Sequence, residues 1–260
     1  MTLDKQDLAQ LKRAKQLLEN PGLAAKLSSM VGSPVEKGMK MLPAKWLKTV
    51  HSATEAALMK ALDMAVSSLG AKRSASSNDR MHRFAAAASG AAGGAFGIAA
   101  LGIELPVSTT LILRSIAEIA SAEGENPRQI ETKLACITVF ALGSSRDKRD
   151  DAAESGYFAA RAALAGAVTE ATKYLAEKGL GKGGAPALVR LIALIASRFG
   201  LVVSQKAAAQ MVPVLGAAGG ALINTLFIGH YQDMARGHFI VRRLEKIYGS
   251  EPVRLAYEKL

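Results

Sequence analysis

Residues 207–229 read AAAQMVPVLGAAGGALINTLFIG, a run without a single formal charge. Its core, GAAGGA at 216–221, recurs at 90–95 inside a second uncharged run, 84–103. Neither run alternates apolar and polar residues, and both are rich in Ala, so they predict helices rather than strands. Residues four apart share a helix face. Gly90/Gly94, Gly93/Gly97 and Gly216/Gly220, with Gly219 beside the last pair, therefore form stripes without side chains. Such stripes let two backbones approach closely, as small residues do between membrane helices. The expected fold is all-α: a multi-helix bundle with Gly/Ala-rich apolar helical hairpins.

The rest of the chain agrees. An amphipathic helix spans 3–19 and stops at Pro21-Gly22. Ser33-Pro34-Val35-Glu36 is a capping box with Pro at the first helical position. Trp46, Val50, Ala53, Ala57, Leu58, Leu62, Ala65 and Leu69 recur at helical spacing, predicting a long helix over 44–69. Trp46 reads as core. After a polar linker, 71–79, the spacing predicts helices over 80–103 and 106–122, broken at Pro106, which lacks an interior donor. Asn126-Pro127 opens another helix, and 152–178 forms the next. Further helices follow from Pro186, after Gly200, and from Pro213 to Tyr248, with a short one after Pro252. Two parts are expected: a basic amphipathic region over 1–79 and a domain with apolar hairpins over 80–260.

Charge follows that division. The chain carries +11, and residues 1–83 hold 14 Lys/Arg against 7 Asp/Glu, a net of +7. A basic surface suits anionic lipid or nucleic acid. The basic residues are not interleaved with aromatics and no nucleic-acid motif is present, so no nucleic-acid partner is expected. The lone cysteine, Cys136, fits a reducing compartment, and the charged N-terminus lacks a secretory apolar core.

Length permits the apolar runs to cross a bilayer, since about twenty helical residues span roughly 30 Å. Composition is less favourable. Residues 84–103 offer Phe84, Phe96, Ile98, Leu101 and Ile103, worth about −2 to −3 kcal/mol together. Five glycines and Ser89 oppose that gain. The neighbouring segment places Arg114 and Glu118 one turn apart, and a charge at the bilayer centre costs about 2.5 kcal/mol or more. Three readings fit: tightly packed soluble core helices, a cytosolic protein that docks on a membrane, or an integral protein. Docking also uses the basic N-terminal third, because each Lys or Arg near an anionic surface contributes about 1 kcal/mol. The partner expected is an anionic membrane surface or a membrane protein complex, at the cytoplasmic face of the plasma membrane.

Candidate chemistry is sparse. Glu104, Arg114 and Glu118 form the expected polar centre among the apolar helices. His230, Asp233 and His238 share one helix; His230 and Asp233 have metal-ligand spacing, while Asp233 to His238 does not. A structural role at the polar end of the helix is the simpler reading, and no metal or other cofactor is expected. The sequence GLGKGG at 179–184 lacks the GxxxxGKS/T spacing and a preceding strand, so it is not a phosphate loop. Cys136 reads as a buried inert thiol. An enzyme would have to rely on Glu104 or on the His230/Asp233/His238 group, as a membrane-proximal hydrolase. A soluble lipid-binding helical shell is a further alternative.

Several ordered segments, GIELPVSTTLILRSIAEIA (102–120), LACITVFALG (134–143), SGYFAARAAL (155–164), SRFGLVVSQKAAAQMVPVLGAAGGALIN (197–224) and GHFIVRRLEKIYG (237–249), resemble the EcsC family of bacteria. The resemblance covers roughly 80–250. It implies a helical accessory protein of a transporter or envelope process, since the family's name-giving member is encoded beside the components of an ABC transport system. It carries no catalytic residues with it. The piece VPVLGAAGGALIN is also similar to the hydrophobic tail of some membrane-linked GTP-binding proteins.

Overall fold

The computed structural model describes residues 3–19, 23–31, 44–68, 101–143, 156–179, 185–210 and 216–260. Among them are nine helices and no strand: α1 (Lys5–Glu19), α2 (Leu23–Val31), α3 (Ala44–Ser68), α4 (Leu101–Ala122), α5 (Ile130–Leu142), α6 (Gly156–Lys178), α7 (Pro186–Gln210), α8 (Gly216–Tyr248) and α9 (Ser250–Lys259). The all-α bundle expected from the sequence is the fold observed.

Long apolar helices gather at the centre. Helix α7 packs against α3, α5 and α6, and α8 packs against α1 and α4. The few aromatic residues meet where these helices cross. Phe140 of α5 lies 4.9 Å from Phe199 of α7, ring centre to ring centre, and Tyr231 of α8 lies 5.3 Å from Phe140. Phe227 adds a fourth ring against Phe199 and Tyr231. Offset and edge-on pairs at these separations stabilise by about 0.5–1.5 kcal/mol each beyond their buried area. Buried residues from either side of residue 79 share one cluster, from Leu11 and Leu62 to Phe239 and Tyr257.

Helix ends follow local chemistry. Helix α4 closes in a Schellman motif: Glu125 N–H donates to the Ala120 carbonyl and Gly124 N–H to that of Ser121. Gly124 has φ +88°, a conformation that side chains disfavour. The Asn126 side chain then accepts from the Arg128 N–H at 3.1 Å and turns the chain into α5.

Two expected breaks are absent. Pro106 lies inside α4 rather than at its start. It removes the ladder bond to the Gly102 carbonyl, one turn back. Leu105, Ile112, Leu113, Ile116 and Ala120 are all buried, and their packing against α3 and α8 holds the helix through that defect. Gly200 likewise lies within α7, because Phe199, Val202 and Val203 on either side are buried. In both places tertiary burial outweighs a local penalty of about 1–3 kcal/mol.

A close helix-to-helix contact in the described residues falls at Gly237. A Cβ there would lie 2.5 Å from Leu18 Cγ and 3.0 Å from the Ala14 carbonyl oxygen, so α1 rests directly on the α8 backbone. This is small-residue packing between helices, at a position outside the GAAGGA runs. Gly219 and Gly220 are buried in the first turn of α8, and Gly216 starts that helix. Gly90, Gly93, Gly94 and Gly97 lie outside the described residues, as do the Ser33 capping box and the side chain of Trp46.

Candidate functional site

Two polar assemblies interrupt the apolar core. The deeper one joins α4 to α7. Glu104 stands in the first turn of α4, and Lys206 stands in the last turns of α7 among buried alanines. Lys206 is fully buried and donates from Nζ to Glu104 Oε1 at 2.5 Å. Gln210, one turn further on, donates to the other carboxylate oxygen at 3.3 Å. The Lys206 ammonium also lies 4.7 Å from the centre of the Phe227 ring. Burial lowers the Lys206 pKa below its ordinary value, and the Glu104 charge opposes that shift. An ammonium removed from water needs such company. Here it has one carboxylate and one aromatic face.

Of the expected polar centre, Glu104 is thus buried with a partner from another helix. Arg114 is exposed and Glu118 half-buried. Ten residues of helix, roughly 15 Å, separate Glu104 from Arg114.

The second assembly links α5, α6 and α8. Arg161 grips Glu245 with both terminal nitrogens, each at 2.8 Å. One of those nitrogens also reaches the Tyr157 hydroxyl at 3.3 Å. Tyr157 Oη lies 2.9 Å from His238 Nδ1. The hydroxyl thus joins Arg161 to His238. Burial holds the His238 pKa well below the ordinary 6.5, and the positive charges of Arg161 and Arg242 act in the same direction, so the ring is neutral. A turn away, Glu125 accepts from Arg242 Nε at 3.0 Å and pairs with Lys246 at 2.8 Å. Thr132 donates to its second oxygen at 3.0 Å. Burial pushes the Glu125 carboxyl up, but the bonds from Lys246 and Arg242 outweigh it and leave the pKa below the ordinary carboxylate value.

His230, Asp233 and His238 share α8 yet point their polar atoms to different partners. His230 Nε2 donates to the Gly143 carbonyl at 2.9 Å, at the end of α5. Asp233 pairs with Lys26 of α2 at 3.6 Å. His238 faces Tyr157 of α6. Burial depresses the His230 pKa to about 4, against the pull of its bond to Gly143. Among the described residues no group of three or more His, Cys, Asp or Glu could hold a metal ion. Cys136 is fully buried, and desolvation pushes its thiol up to about 12.

Sequence reasoning missed Lys206, Tyr157, Arg161, Glu125 and Arg242. Only Lys206 left a local trace, as a lone charge in the otherwise uncharged stretch 199–209.

Helix α7 is, among the described residues, the helix long and apolar enough to cross a membrane, and half of its most apolar window is buried. Its outer face leaves Val189 46%, Leu194 38% and Leu201 51% exposed, flanked by Arg190 and Arg198.

No curated protein and no solved structure matches the chain. Four of the five ordered segments noted above, and most of the fifth, fall within one continuous family match that runs from α1 nearly to the end of α8. Over residues 5–244, the chain belongs to the EcsC protein family.

Proposed function

We propose that the protein is a non-enzymatic accessory protein that docks on an anionic membrane surface from the cytoplasmic side. The observation that carries this reading is the outer face of α7. Val189, Leu194 and Leu201 are large apolar side chains in solvent, and Arg190 and Arg198 lie on the same helix beside them. Exposed aliphatic side chains interspersed with arginines, of which Arg190 also pairs with Glu170 at 3.5 Å, suit a headgroup boundary, with aliphatic groups sinking below the phosphates and guanidinium groups remaining among them. The net charge of +11 supports an anionic rather than a neutral surface. The exposed Lys5, Lys12 and Arg13 of α1 add to the basic character of the N-terminal part. The resemblance to a family named for a neighbour of an ABC transport system supports a role beside a membrane transport or envelope process.

Flotation with vesicles tests the reading. The protein is expected to rise with vesicles containing about one third phosphatidylglycerol and to stay behind with pure phosphatidylcholine. About 0.5 M salt should weaken the binding, because the Debye length then falls to a few ångströms. The exposed-face variant Leu194→Glu/Leu201→Glu should remain folded and lose binding. Equal flotation with neutral vesicles, or none with acidic ones, contradicts the proposal.

A further inference from the structure

Helices α5 and α6 do not close fully over α8. A cavity of about 270 Å³ lies between them. Ala135, Leu164, Ala165 and Val168 give it apolar walls, and α8 contributes His238 and Arg242. The volume is just under the range of about 300–1,000 Å³ typical for drug-sized ligands, so a small molecule fits and a diacyl lipid does not.

One polar group of the cavity has unused donors. Arg242 bonds Glu125 through Nε, and its two terminal nitrogens make no hydrogen bond among the described residues. Charge points the same way. Arg161 is matched by Glu245, whereas Glu125 faces two cations, Arg242 and Lys246. That triad carries one net positive charge, and among the described residues the only acid lining the cavity, Glu131, is exposed to solvent.

We propose that this cavity binds a small carboxylate with a short apolar tail, its carboxylate on Arg242 and its tail along Ala135, Leu164 and Val168. A carboxylate accepts from both terminal nitrogens of a guanidinium fork, and it balances the extra positive charge. The aliphatic walls offer a tail no polar partner and gain by being covered. The site is independent of the membrane-facing stripe on α7, since it is built from α5, α6 and α8.

Calorimetric titration of the full chain in solution, without vesicles, tests the site with octanoate as the probe. Saturable binding is expected, with 1-octanol at least tenfold weaker because it lacks the charge. Arg242→Gln should weaken octanoate at least tenfold by removing the fork. Ala165→Leu should do the same by filling the cavity from an exposed helix position. That position disturbs no ion pair, so this variant decides the matter even if Arg242→Gln folds poorly. Absence of saturable octanoate binding, equal affinity for 1-octanol, or wild-type affinity in a folded form of either variant overturns the proposal.

Discussion

The two buried carboxylates among the described residues solve one problem in opposite ways. Glu104 meets a lysine as deeply buried as itself, so both charges of that pair have left water. Glu125 is equally enclosed, at 3% side-chain exposure, but Lys246 reaches it from the surface with 55% of its own side chain in solvent. In the first arrangement each partner is the other's main compensation. In the second, two cations serve one carboxylate, and one of them keeps more than half of its side chain in water. Losing a partner should therefore be costly at Glu104 and moderate at Glu125.

The largest effect is expected at the enclosed pair. Lys206→Ala strands the Glu104 carboxylate and should destabilise by about 3–5 kcal/mol in urea unfolding. The double variant Glu104→Leu/Lys206→Met should recover most of that loss, because an apolar pair of similar volume needs no compensation. Lys246→Ala should cost roughly 1 kcal/mol, since Arg242 and Thr132 still serve Glu125. Equal losses at Lys206 and Lys246 would erase the contrast between the two regions.

Next comes pH. His230 is neutral in the fold, with its pKa depressed from 6.5 to about 4. The unfolded chain binds that proton first, so unfolding takes up protons below pH 6.5. Stability is then present in full above pH 6.5 and is lost as pH falls towards 4, by an amount of order 3 kcal/mol. His238 acts in the same direction. His230→Gln, which keeps a side-chain donor for Gly143, should flatten this part of the stability profile. An unchanged profile would show that the ring is not held neutral by burial.

Smaller still are the glycines. Gly237→Leu places atoms against Leu18 and the Ala14 carbonyl and should cost about 1–3 kcal/mol through overpacking of α1 on α8. Gly166→Ala, in α6, meets nothing within 4 Å and should gain about 0.5–1 kcal/mol from helix propensity. Thermal unfolding of both variants compares a glycine required by a neighbour with one that is not.

These residues also show how far the sequence could be read. Gly124, Gly179 and Gly249 were legible as helix ends because each ends a periodic apolar stretch, and all three have positive φ. Pro106 and Gly200 misled because propensity is local while the burial of their neighbours is not. Glu104 stood out as an acid beside apolar helices, but its partner lies 102 residues away, and no spacing rule connects α4 to α7. His230, Asp233 and His238 looked like a group because they are near in sequence. Their positions on α8 aim them at α5, α2 and α6 instead. Gly237 escaped notice since it is single, whereas the repeated GAAGGA drew attention to itself.

The proposed membrane-facing role of α7 can be tested at one side chain. Cys136 is buried and its thiol is held protonated, so a cysteine introduced as Leu194→Cys is the one that labels with a polarity-sensitive dye. On adding acidic vesicles, the dye at residue 194 should shift to the blue, and the same dye at exposed Leu255 of α9 should not. A dye at residue 194 that stays in water while the protein floats with those vesicles would contradict the account.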